Sequence, residues 1–219
     1  MDATVGQTTV TSSAHATPMT INPTEHPTID AISGRWSPYR FEPRPIETSL
    51  LSQCFEAARW ASSSFNEQPW RWIVATRDQD DEFIRAVNCL MEANRPWASN
   101  AGALVLTAYR AKFSRNDKPN RVALHDLGQA ASLLSIQAAA LGLQVHQMAG
   151  INLSQIRAEY QIPEEFEPAT AIAIGYPSTQ PADSPEAEQM VQRERAARKR
   201  NPLSEQLFTG VWGGAVPWS

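Results

Sequence analysis

The run at 122–141 constrains this chain more than any other stretch. Ala123, Leu127, Ala130, Ala131, Leu134, Ala138 and Leu141 recur at helical spacing on one side, and Leu124, Leu133 and Ile136 cover much of the rest. A helix apolar nearly all round is buried, in a core or in an interface. Gly128, Ala130 and Ala131 leave room for another helix to come close, and Gly142 follows as a helix-ending glycine.

The flanking segments alternate between helix and strand patterns. Residues 47–61 place Leu50, Leu51, Cys54, Phe55, Ala58 and Ala61 on one helical face. Residues 78–92 form a second predicted helix, with Asp80, Asp81 and Glu82 in the first turn, where the helix dipole favours negative charge. Asn94-Arg95-Pro96-Trp97 breaks it. Short helices are expected at 28–33 and around 153–160. Strands are expected at 70–76, 101–109, 143–150 and 169–177, from their branched, aromatic and small apolar content and their Gly and Pro ends.

Both ends differ from the middle. Residues 1–27 are rich in Thr, Ser, Ala and Pro and lack the basic start and apolar core of a signal peptide. They read as a flexible arm before a domain at 28–219. Residues 178–219 form a C-terminal extension with one charged helix. It has too little apolar surface to fold alone, yet carries Leu203, Leu207, Phe208, Val211 and Trp212. It is expected to pack on another surface, that of a second subunit.

The net charge of −4 over 219 residues gives no reason to expect nucleic acid or an anionic membrane as partner. No apolar run is long enough to span a bilayer. Cys54 and Cys89 have no metal-ligand spacing and read as reduced thiols in a cytoplasmic protein. His15, His26, His125 and His146 show no HxxH spacing. There is no GxSxG elbow, no GxGxxG after a strand and no P-loop.

Two polar features remain. Between the helix at 47–61 and the strand at 70–76 lies Ser62-Ser63-Ser64-Phe65-Asn66-Glu67-Gln68-Pro69, flanked by Trp60, Trp70 and Trp72. Hydroxyl and amide groups between aromatic residues suit a polar heteroaromatic ligand; they equally cap helices and fill turns. Arg35 and Ser37 sit near one end of the fold, and Arg198 and Arg200 near the other. Residues two apart in extended backbone point the same way, so Arg198 and Arg200 make either a phosphate clamp or a solvated basic face.

Four blocks, in order, resemble the nitroreductase family of flavin mononucleotide (FMN) enzymes. They are Arg35-Trp36-Ser37-Pro38-Tyr39-Arg40-Phe41, then Ala58-Arg59-Trp60-Ala61-Ser62-Ser63-Ser64-Phe65-Asn66-Glu67-Gln68-Pro69-Trp70. His125-Asp126-Leu127-Gly128-Gln129-Ala130-Ala131 with Ala140-Leu141-Gly142-Leu143 follow. Ile174-Gly175-Tyr176-Pro177 with Arg198-Lys199-Arg200-Asn201-Pro202-Leu203 close the set, which spans about 28–213.

The resemblance implies an α+β, three-layer fold with a mainly antiparallel central sheet flanked by helices. It also implies an intertwined homodimer with one FMN at each end of the interface. Arg35, Ser37, Arg198 and Arg200 are then expected at the flavin phosphate, with Trp36 and Tyr39 in the same block. Ser62, Ser63, Ser64, Asn66 and Gln68 would approach from the partner subunit. Asn94 would read the pyrimidine edge, and Met148, Ala149 and Gly150 would lie near the reactive nitrogen. The implied reaction passes hydride from NAD(P)H to FMN and then to a small aromatic acceptor, a nitroaromatic or a quinone, with no protein nucleophile. Relatives that cleave carbon–halogen bonds, break down flavin or oxidise peptides share the fold. Tyr39 stands where the family often has a cation, Ser62 where it has proline, and Ala149 where many members have an acid.

Overall fold

The computed structural model describes residues 22–218. Its centre is a sheet of four strands, β1 (Trp70–Thr76), β2 (Ala103–Arg110), β3 (Gln144–Met148) and β4 (Phe166–Gly175). The order is β1-β2-β4-β3 and every pairing is antiparallel. Side chains alternate across each strand, so one strand feeds two cores. On one face Trp70, Ala103, Val105, Val145, Ile172 and Ile174 pack with α2 (Thr48–Arg59) and α5 (Ala123–Ala140). On the other, Ala75, Leu104, Leu106, Met148, Ala171 and Ala173 pack with α3 (Asp80–Asn88), α4 (Arg95–Ala98) and α6 (Leu153–Glu159). The expected three layers are present, and the first six residues of β2 are all buried because helices cover both faces.

Three boundaries differ from the sequence reading. The helix expected to reach 92 ends at Asn88, because Leu90 leaves it to bridge Ile151. The expected break at Asn94-Arg95-Pro96 is instead the start of α4, since proline fits a first helical turn, where no N–H partner is needed. β4 begins at Phe166, three residues before the predicted start, where Arg110 continues the pairing.

α5 is buried on the side facing α2 and the sheet. Its open side keeps Leu124 55% and Leu133 37% exposed, and nothing lies within 4 Å of a Cβ built on Gly128. α1 (Asp30–Ser33) precedes the connector to α2. Of the expected N-terminal arm, residues 1–21 lie outside the described residues. Asn22 is tied down: its N–H donates to Ser33 O, and its amide to Ile32 O and Arg35 O. The C-terminal extension begins by docking on its own chain through Val191 and Glu194 of α7 (Pro185–Arg195). Its end leaves Val211, Trp212 and Trp218 exposed, Trp212 by 91%.

Cys54 and Cys89 are free and buried, and burial pushes the Cys54 thiol up to about 11. No helix among the described residues is long and apolar enough to cross a membrane. At the start of β2, a Cβ on Gly102 would stand 2.6 Å from Ile46 Cγ1 and 2.9 Å from the Arg44 carbonyl oxygen. The second contact is backbone and cannot rotate away. Gly102→Ala is therefore expected to cost about 1–3 kcal/mol, read as a lower midpoint in urea at unchanged slope.

Candidate functional site

The site is laid out along the edge strand β3. Pro38, Pro43 and Pro45 keep the segment before α2 extended. In extended backbone neighbours alternate, and here Trp36 and Pro38 turn inward and are buried. Arg35, Ser37 and Tyr39 are left half-buried on the other side. Side chains of β3 hold the segment in place. Trp36 N donates to Gln144 Oε1 at 3.0 Å, and Gln144 Nε2 donates to Gly34 O at 3.3 Å. His146 Nδ1 lies 2.8 Å from Pro38 O, so Nδ1 carries the proton of the neutral ring. Phe41 bridges to Pro177 and closes the segment against the end of β4.

At the Gln144 end, three guanidiniums gather. Burial lowers the pKa of Arg35 and the Arg200 charge lowers it further. Arg198 is lowered by burial, then by Arg35 and Arg200. Arg198 Nη1 donates to Asn22 Oδ1 at 2.6 Å and to Arg35 O at 3.0 Å. Like charges held together out of bulk water raise each other's energy, and a multiply charged anion docked among them relieves that cost. Arg40, the other cation of the block, is committed elsewhere: its Nε pairs with Glu194 Oε2 at 3.1 Å.

The middle of the row is aromatic. The His146 ring lies over Trp97, with centroids 4.3 Å apart and planes tilted by 30°. Tyr39 meets both edge-on, at 4.8 Å from His146 and 5.5 Å from Trp97. At the far end, Asn94 Nδ2 donates to Gly150 O at 2.9 Å, and Met91 N donates to the same carbonyl at 2.9 Å. A Cβ on Gly150 would stand 2.5 Å from Asn94 Nδ2, so glycine is what lets the amide sit there. The N–H groups of Ala149 and Gly150 find no acceptor among the described residues. From Gln144 to Ala149 the row runs about 17 Å at the usual rise of a strand.

Burial is the first cause of a lowered His146 pKa; the Pro38 carbonyl raises it, Arg35 lowers it and Glu194 raises it. The unfolded chain therefore binds a proton that the folded chain refuses, and stability is lost as pH falls below about 6.5. Thermal melts at about pH 7.5 and 5.5 should show a larger drop in melting temperature for the wild type than for His146→Gln.

The hinge stands apart from this row. Its turn is built against the start of α5: Ser64 N donates to the buried Asp126 Oδ2 at 3.1 Å, and Ser62 Oγ donates to Gln129 Oε1 at 2.8 Å. Gln68 N donates to Ser63 Oγ at 3.0 Å, and Gln68 Nε2 to Asn66 Oδ1 at 3.1 Å. Ser62, in place of proline, is thus pinned through its hydroxyl. Phe65, Asn66 and Gln68 have φ of 55°, 55° and 48°. Left-handed backbone costs about 1–2 kcal/mol per residue and concentrates at functional sites. Phe65 is 70% exposed, with Arg115 Cζ 3.8 Å over its ring.

The structure therefore brings together Arg35, Trp36, Ser37, Tyr39, Asn94, Met148, Ala149, Gly150, Arg198 and Arg200 along one sheet edge. It does not bring Ser62, Ser63, Ser64, Asn66 and Gln68 to them. The hinge enters β1, the opposite edge strand, on the α5 side of the sheet, whereas His146 and Met148 face the other side. Asn22, Trp97, His146, Asp126 and Glu194 were not expected at the site. Only Asp126 carried a signal, as a member of the central block.

The chain is similar to known proteins in sequence and in fold. The family model described as the nitroreductase family matches residues 32–176. A 15.4 kDa protein of the ask 5′ region of Mycolicibacterium smegmatis is 30% identical over 152 residues, covering 67% of this chain and 99% of its own length. A Streptomyces coelicolor protein named as an NADH dehydrogenase/NAD(P)H nitroreductase is 24% identical over 163 residues, covering 66% of this chain and 80% of its own. The crystal structure of an oxidoreductase containing FMN superposes with a TM-score of 0.79 at 32% identity, covering 88% of this chain and 96% of that one. The four sequence blocks, the three-layer fold and these matches lead to one assignment: the chain belongs to the nitroreductase family.

Proposed function

We propose that the protein is an FMN-dependent oxidoreductase that takes reducing equivalents from NAD(P)H and delivers them to a small aromatic acceptor, a nitroaromatic or a quinone. The observation that carries this reading is the row along β3: clustered guanidiniums, then aromatic rings, then two N–H groups without acceptors among the described residues and an amide held against Gly150. Charge, apolar surface and hydrogen-bond donors follow one another in the order of a phosphate, a chain and a ring. A relative named as containing FMN supports the same cofactor, and one named as an NAD(P)H nitroreductase supports the donor. When bound, FMN supplies the two-electron chemistry; the protein supplies position and electrostatics. Arg35, Arg198 and Arg200, with Ser37, would hold the phosphate. Asn94 would face the pyrimidine edge, and the Ala149 and Gly150 N–H groups would meet the ring.

We further propose that the working unit is a homodimer in which the hinge of one subunit completes the site of the other. The start of β1 and the start of β3 are diagonal corners of the sheet. Seven residue steps and three strand spacings put them about 28 Å apart, on opposite faces, farther than one FMN reaches. A second copy supplies the missing hinge, and the open side of α5 and the exposed Trp212 give it apolar surface to cover. The buried free thiols fit a cytoplasmic setting.

The test is an absorption spectrum of the purified protein followed by anaerobic addition of NADPH and NADH. Flavin bands that bleach, from a particle of about twice the chain mass, support the reading. A colourless protein that cannot be loaded with FMN would overturn it. A yellow protein that neither nicotinamide bleaches would move the function to a flavin-binding sensor or to the non-reductase relatives.

A further inference from the structure

Glu194 lies near the end of α7, and its side chain is fully out of solvent. One oxygen accepts from two successive backbone N–H groups, Tyr39 at 2.7 Å and Arg40 at 2.8 Å. The other accepts from Arg40 Nε at 3.1 Å. Arg40 Nη1 goes on to the Gln180 carbonyl at 2.7 Å, so the approach to α7 is held by the same side chain. One carboxylate thus ties the C-terminal helix to a segment 154 and 155 residues earlier in the chain.

That tie stands between the two halves of the cationic cluster. Arg35 lies four residues before Tyr39, and Arg198 lies four residues after Glu194. The three guanidiniums repel one another, which acts to spread the two halves apart. Apolar contact opposes this on the α7 side only through the buried Val191 and the half-buried Met190. A buried carboxylate with three donors is directional where apolar contact is not. We propose that Glu194 is a positioning residue: it sets the register of Arg198 and Arg200 against Arg35 and thereby gives the site its preference for a phosphorylated flavin. This rests on the flavin reading above. Glu194 touches no phosphate itself.

The consequence is selective. A residue that only stabilised the fold would weaken FMN and riboflavin together, because both share the ring. A residue that aligns the phosphate cluster weakens FMN alone. The experiment measures dissociation constants for FMN and for riboflavin on full-length protein and reads their ratio. In Glu194→Gln the amide oxygen still accepts from Tyr39 and Arg40 N–H, but an NH2 group then faces Arg40 Nε and pushes it away. The preference for FMN over riboflavin is expected to fall about tenfold or more, with riboflavin binding within about twofold of wild type. Glu194→Asp keeps the charge, is the milder variant for folding, and withdraws the carboxylate by one methylene; its preference is expected to fall about threefold. Equal weakening of both ligands in either folded variant overturns the inference, as does an unchanged ratio. A wild type that binds neither ligand overturns the flavin reading and this inference with it. A wild type that prefers FMN, with variants that keep its ratio, overturns this inference alone.

Discussion

Arg198→Ala combined with Arg200→Ala is expected to strip FMN from the protein during purification while leaving the fold in place. Each guanidinium bond to a phosphate oxygen contributes about 1.5–3 kcal/mol, so losing two sets of them raises the FMN dissociation constant by about 100-fold or more. Opposing terms act on the apo protein. Arg198 gives up its bonds to Asn22 and to the Arg35 carbonyl, which destabilises. The mutual repulsion that adds to burial in depressing Arg35 and Arg198 is removed, which stabilises. The net change in the apo melting temperature should be small, and the stabilisation gained on adding FMN should largely vanish. Isothermal titration with FMN, riboflavin and inorganic phosphate separates the contributions. Riboflavin binding is expected to change little. If FMN is retained as in wild type, the phosphate role of this cluster is wrong.

How much of this was legible in the sequence depends on how local each signal is. β1 was read to its residue limits because Trp70, Trp72, Ile73 and Val74 sit between Pro69 and the Arg77-Asp78 turn. The gathering of Arg198 and Arg200 beside Arg35 was legible from their spacing of two and from the family blocks, and four blocks in order made the family assignment specific. α4 escapes the sequence pattern because Pro96 reads as a stop where it works as a first-turn residue. Glu194 gave no signal: it sits in a helix of charged residues, and its burial depends on backbone N–H groups more than 150 positions away. Asn22 was lost for the same reason, since its partner Arg198 is 176 residues distant. His146 looked like one polar residue in a strand; only the fold puts Trp97 and Tyr39 against it.

The proposed sharing of the site between two subunits makes a sharper prediction than any single variant. Asp126→Ala removes the acceptor of Ser64 N and leaves that N–H without its partner, at a cost of about 1–3 kcal/mol. The left-handed turn at Phe65 and Asn66 then loses a fastening to α5, and its own strain favours rearrangement. As a homodimer, Asp126→Ala is expected to lose most of its turnover, because both sites receive a disordered hinge. The Arg198→Ala, Arg200→Ala homodimer loses it because both sites lack the clamp. Mixed dimers of the two variants should recover about half of the wild-type activity. If cluster and hinge meet across the interface, one site of the mixed dimer collects both defects and the other collects neither. If each site were built within one chain, every site would carry a defect and mixing would restore nothing. Subunits carrying two different affinity tags, refolded together and purified through both, give the mixed species for assay. The distances already favour recovery: the two groups lie about 28 Å apart on opposite faces of one sheet, and a second copy is a ready source of a hinge beside Arg35.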